Sequence, residues 1–136
     1  SKKRLLQEIS EIITIYSPDF TPGLAFEALM NRESLGATGV GNGVALPHAR
    51  MKGLDSVAGA FFKLEKPMDF SSVDRKPVDL IFALFAPEGA GVEHLKALAL
   101  VSRTLRDPSV CSKLRANSNA NTMYAILTEN MSSQAA

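Results

Sequence analysis

Leu5, Leu6, Ile9, Ile12, Ile13 and Tyr16 recur every three to four positions until Ser17-Pro18-Asp19 ends the pattern, which predicts a first helix near 2–16. A second begins at once. Thr21 stands where it can cap this helix, Pro22 fits its first turn, and Leu24, Ala28 and Leu29 give it an apolar side as far as Arg32. Two runs rich in Val, Ile, Leu and Phe, over 57–64 and 78–85, read as core strands, with Lys66-Pro67-Met68-Asp69 and Asp74-Arg75-Lys76-Pro77 as breaks. Helical spacing returns at Val92, Leu95, Leu98, Ala99, Val101, Ser102 and Leu105 and stops at Asp107-Pro108. Shorter helices are predicted near 110–115 and 121–127, before a Ser/Gln/Ala tail expected to fray. Helices at both ends with strands between them predict an α/β sandwich. With 136 residues it is expected to be a single domain over 1–136.

The segment 33–50 fits neither period. Gly36, Gly39, Gly41 and Gly43 admit backbone conformations closed to other residues, so successive N–H groups around Asn42 are expected to converge on an anion. Pro47 stiffens the chain just before His48. A nucleotide loop has little support: Gly41 is followed by Asn42 and Gly43 by Val44, without the Lys-Ser/Thr of a Walker loop, and the glycines run GxGxG rather than GxGxxG. What remains is a loop presenting one imidazole. Largely neutral near pH 7, it offers a lone pair without a separate base, which suits an enzyme carrying a phosphoryl group on its own side chain. Phosphoryl transfer passes through a loose transition state, so alignment and charge stabilisation decide its rate. Taken alone, His48 reads equally well as a ring capping a turn.

The pattern Arg32-Glu33, Leu35-Gly36, Thr38-Gly39, Gly41-Asn42-Gly43 and Pro47-His48, with Glu93-His94-Leu95 far downstream, resembles the EIIA domains of the bacterial phosphotransferase system, fructose/mannitol type. The stretches 1–6, 77–84 and 114–116 resemble the nitrogen-regulatory branch of that family. The resemblance implies a mixed central sheet flanked by helices. It also implies that His48 accepts the phosphoryl group, that His94 assists by hydrogen bonding without carrying phosphate, and that Arg32 neutralises phosphoryl charge. Gly39, Gly41, Asn42, Gly43 and Pro47 would form the phosphate loop. Read as residues, His94 in a helix's first turn meets N–H groups that favour an anion, although an exposed helix-start histidine is the plainer reading. Arg32 can pair phosphoryl oxygens or simply favour the C-terminal end of its helix. Arg50 is near enough to assist, or to meet a partner protein. Ser34 and Thr38 serve either the site or its turns. Ala49 stands where some relatives have glycine.

A net charge of +1, with no basic block and no aromatics interleaved among cations, gives no expectation of nucleic-acid binding. Lys2-Lys3-Arg4 reads as a solvated helix start. The longest apolar runs, such as 80–86, are far too short to cross a bilayer, and no signal-peptide pattern is visible, so a cytoplasmic protein without membrane insertion is expected. Two histidines and one cysteine, without HExxH or CxxC spacing, predict no metal site, and no cofactor is implied. Cys111 is expected to be buried rather than reactive.

The resemblance supplies partners: an HPr-like protein as phosphoryl donor, fed from phosphoenolpyruvate by an Enzyme I-type kinase, and regulatory target proteins that distinguish two forms. A change of roughly −1.5 to −2 in charge at one surface loop is enough to alter an interface. Two alternatives stand beside this phosphotransferase. One is a sugar-specific EIIA passing phosphate to an EIIB cysteine, and the other a non-catalytic interaction module, against which the presence of His48, His94 and Arg32 argues.

Overall fold

A computed structural model describes residues 1–135 of the chain. Helix α1 (Lys2–Tyr16) starts where the Ser1 hydroxyl accepts the Arg4 N–H at 3.2 Å, and it buries Leu5, Leu6, Ile9 and Ile13 as one stripe. Helix α2 (Pro22–Leu35) packs beside it. Thr21 occupies the capping position of α2 but makes no side-chain capping bond, contrary to expectation. Its carbonyl accepts the Ala25 N–H at 3.0 Å, and the fixed φ of Pro22 starts the helix.

The strands are β1 (Gly39–Gly41), β2 (Val44–Ala45), β3 (His48–Met51), β4 (Ala58–Met68) and β5 (Val78–Pro87). β4 pairs antiparallel along nearly all of β5, so β2 and β3 share the other edge of β5, one after the other and both parallel to it. Their register is continuous: Ala45 faces Ile81, and His48 faces Leu84. Pro47 interrupts β2–β3 because it lacks an N–H, yet its carbonyl accepts from Leu84 N at 2.9 Å and carries the ladder across the gap. β1 pairs antiparallel with β2, so the sheet is mixed. Leu80, Ile81, Ala83, Leu84, Phe85 and Ala86 are all buried, which explains why β5 reads as an unbroken apolar run.

Three expectations need correction. The segment 36–47 contains a hairpin, not an irregular loop. β4 runs through Lys66-Pro67 to Met68, with the pairing slipping between Lys63 and Met68, where Pro67 cannot donate. The tail read as frayed is helical up to Ala135, and Ala136 lies outside the described residues.

The chain divides into two compact units, Ser1–His94 and Leu95–Ala136. In the first, α1, α2, β2, β3 and β5 enclose a core that includes Leu6, Ile9, Leu29, Phe70, Ile81 and Phe85, with Phe20 edge-on to Phe85 at 5.1 Å. The second holds most of α3 (Gly91–Arg106), α4 (Pro108–Arg115) and α5 (Ala120–Ala135). Asp107 caps α4 by accepting the Ser109 N–H at 2.9 Å. Cys111 is buried, its thiol donating to the Leu105 carbonyl at 3.1 Å, as expected of a packing cysteine. Among the described residues no helix is long and apolar enough to cross a membrane.

Candidate active site

Alternation along β3 sends Ala49 and Met51 into the core and leaves His48 and Arg50 together on the opposite face. Nδ1 of His48 lies 2.6 Å from the Leu46 carbonyl oxygen. That oxygen can only accept, so the hydrogen-bond network assigns the ring proton to Nδ1 and the lone pair to Nε2. Nε2 accepts from Nε of Arg32 at 3.3 Å, while Nη1 of the same guanidinium donates to the Gly36 carbonyl at 2.8 Å. Arg32 thus binds the carbonyl end of its own helix, as one of its two readings expected, and also reaches the imidazole.

His94, in the first turn of α3, is buried instead of exposed, and its ring stands edge-on to His48 with centroids 5.7 Å apart. Its Nδ1 accepts from Nε of Arg50 at 3.2 Å, so the proton of the neutral ring sits on Nε2. Nε2 is buried without a hydrogen-bond partner among the described residues. Arg32, His48, Arg50 and His94 thus converge within one unit of the chain.

Both rings titrate below the ordinary 6.5. Burial is the main cause for His48, aided by the Arg32 charge and opposed by the Leu46 hydrogen bond and Glu33. For His94, burial acts first, then His48 and Arg50. Near pH 7 the site holds two neutral imidazoles beside two guanidinium groups.

The sequence model of the family "Phosphoenolpyruvate-dependent sugar phosphotransferase system, EIIA 2" matches residues 1–130. The chain belongs to this family. It is 46% identical over 127 residues to a nitrogen regulatory protein of Bradyrhizobium diazoefficiens, covering 93% of this chain and 82% of that one. With a nitrogen regulatory protein of Escherichia coli the identity is 40% over 131 residues, covering 95% and 79%. The crystal structure of the nitrogen regulatory protein IIA-Ntr from Neisseria meningitidis superposes with a TM-score of 0.87 at 40% identity, covering 93% of this chain and 86% of that one. The mixed sheet with its helices is the type 2 EIIA fold.

In this EIIA chain the glycine segment departs from the anion cradle read from its sequence. Asn42 (φ 57°) and Gly43 (φ 80°) form the positive-φ pair that a two-residue hairpin turn requires between Gly41 and Val44. Backbone groups of this segment are already engaged: Asn42 N–H donates to Asp74 Oδ2 at 2.8 Å, Thr38 N–H to Glu33 Oε2 at 2.9 Å, and Leu46 N–H to the Thr38 carbonyl at 2.9 Å. The Asn42 bond also holds the Asp74 carboxyl below its ordinary range. Gly39, Gly41, Asn42 and Gly43 therefore build the hairpin that leads into β2 and Pro47. Asn42-Gly43 between Val40 and Val44 was the signal for it.

Glu33 stands in the motif, but no role for it was read from the sequence. Its nearly buried carboxylate accepts from the backbone and hydroxyl of Thr38 and from Lys2 Nζ at 3.0 Å, and Lys2 also donates to the Phe70 carbonyl at 3.1 Å. Lys2 is thus a tether from α1 to the start of the hairpin segment, not a solvated cation. Ser34 serves its own helix, donating to the Asn31 carbonyl at 2.7 Å. Among the described residues no group of three or more His, Cys, Asp or Glu comes together as a metal site.

Proposed function

We propose that this EIIA chain is a phosphocarrier that accepts a phosphoryl group on Nε2 of His48 from the phosphohistidine of an HPr-like protein, and that its two forms bind regulatory targets differently. The observation carrying this reading is the His48 wiring: Nδ1–H tied to a carbonyl, and the Nε2 lone pair turned toward Arg32.

In the transfer, Nε2 of His48 attacks phosphorus as the donor's N–P bond breaks, and the donor ring leaves as neutral imidazole with its proton on the other nitrogen. No proton need cross between the rings. The His48 ring gains positive character, which the Nδ1–H bond to Leu46 O spreads. Once Nε2 bonds phosphorus it can no longer accept from Arg32, so the Arg32 Nε–H is freed for a phosphoryl oxygen. Nε2–H of His94, buried and unpartnered, is the second donor.

The similarity to nitrogen regulatory proteins supports a signalling role in the cytoplasm over sugar transport. The family match over 1–130 includes parts of both compact units and supports one functional domain. The test is incubation with Enzyme I, an HPr homologue and phosphoenolpyruvate, followed by intact mass. A gain of one acid-labile phosphoryl group is expected, and no gain overturns the reading. Its rapid removal by an EIIB would favour the sugar-specific alternative.

A further inference from the structure

Two residues apart on one face of β3, His48 and Arg50 engage different neighbours: His48 meets Arg32 from α2, and Arg50 meets His94 from α3. A guanidinium nitrogen can only donate, so the 3.2 Å contact from Arg50 Nε leaves Nδ1 of His94 no role but acceptor. A neutral imidazole without such a partner places its proton on either nitrogen. One of those forms would present a lone pair at Nε2, and a lone pair repels phosphoryl oxygens. The Arg50 charge also disfavours protonation of His94, behind burial and His48. A buried N–H left without a partner costs stability unless an incoming group satisfies it, and Nε2 of His94, whose ring stands edge-on to His48, is such an atom.

We propose that Arg50 is a positioning residue whose Nε–H bond to Nδ1 holds His94 in the tautomer that offers Nε2–H to the phosphoryl group in flight at His48. The consequence for transfer rests on the phosphocarrier reading; the tautomer control does not. Arg50 itself touches neither phosphorus nor the attacking nitrogen.

Side-chain length makes the test sharp. Gln places its amide nitrogen the same number of bonds from the backbone as Arg places Nε, so Arg50→Gln keeps a donor there without the charge. Arg50→Met fills the same length with no donor, and Arg50→Lys keeps the charge but moves the donor nitrogen one bond further out than Nε. Long-range nitrogen–proton NMR of the imidazoles reports each tautomer, and rapid-quench labelling at saturating phospho-donor reports the rate. His94 is expected to carry its proton on Nε2 in the wild type and Arg50→Gln, and to show mixed tautomers in Arg50→Met and Arg50→Lys. Labelling should slow roughly three- to tenfold in Arg50→Met, the scale of one net hydrogen bond, with Arg50→Gln recovering most of the loss. A wild-type His94 protonated on Nδ1, an unchanged tautomer in Arg50→Met, or an Arg50→Gln as slow as Arg50→Met would each overturn the proposal. A tautomer shift as expected, with no labelling of the wild type, would support tautomer control by Arg50 and overturn the phosphocarrier reading instead.

Discussion

The two histidines stand edge to edge yet are wired in opposite senses. Nδ1 of His48, on β3, donates to a carbonyl, whereas Nδ1 of His94, at the start of α3, accepts from a guanidinium. Each Nδ1 partner decides what Nε2 becomes: a lone pair on His48, an N–H on His94. The same side chain presents a lone pair in one place and an N–H a few ångströms away, by one contact each. Neither role is a property of histidine itself.

The sharpest way to break the comparison is to remove each ring in turn. His48→Ala should abolish acid-labile labelling with an unchanged circular dichroism spectrum, because in the proposed transfer its imidazole is this chain's covalent participant. His94→Ala and Arg32→Ala should leave labelling intact but slower, by up to roughly a hundred- to a thousandfold, the usual cost of a preorganised donor. A rapid-quench time course with purified phospho-donor separates these outcomes. Complete loss in His94→Ala with mere slowing in His48→Ala would mean that the roles are exchanged.

A smaller effect tests whether the two sides are supported independently. Support on the His48 side runs back through Glu33, which holds Thr38 and Lys2. Glu33→Ala leaves the buried Thr38 N–H without its partner and is expected to cost about 1–3 kcal/mol in urea denaturation. His48 ring signals should shift while those of His94 stay in place. By contrast, Arg4→Ala, which removes the exposed Arg4–Glu8 pair at 3.5 Å, should change stability by less than about 0.5 kcal/mol.

A last test of the comparison concerns pH. Both rings have folded pKa values below 6.5, so below that pH the unfolded chain binds more protons than the folded one. The stability contributed by keeping these rings neutral is present above pH 6.5 and is lost as the pH falls toward the folded values. Urea midpoints from pH 7.5 to 5.5 should drop more for the wild type than for a variant with both histidines replaced by Ala. A smaller drop in the wild type would show that the fold favours the charged rings.

Periodicity alone placed α1 at its observed bounds, an apolar run placed β5 nearly so, and the glycine segment with the family resemblance pointed to His48, His94 and Arg32. Those signals are local: a helical stripe repeats within a few residues, and an apolar run buried on both faces announces itself. Asn42-Gly43 was equally local, but its glycines were read as freedom for an anion instead of as the positive φ of a turn. Tertiary structure alone decided the rest. The contacts of Lys2 with Glu33, Asn42 with Asp74, and Arg50 with His94 join positions 31, 32 and 44 apart, and no period in the chain encodes them. Which nitrogen of His94 holds the proton is fixed by a partner 44 positions away, and for His48 by the Leu46 carbonyl that the turn of the chain at Pro47 sets against the ring. Sequence specified that two imidazoles exist, and folding, by setting one carbonyl and one guanidinium against them, determined which presents a lone pair and which an N–H.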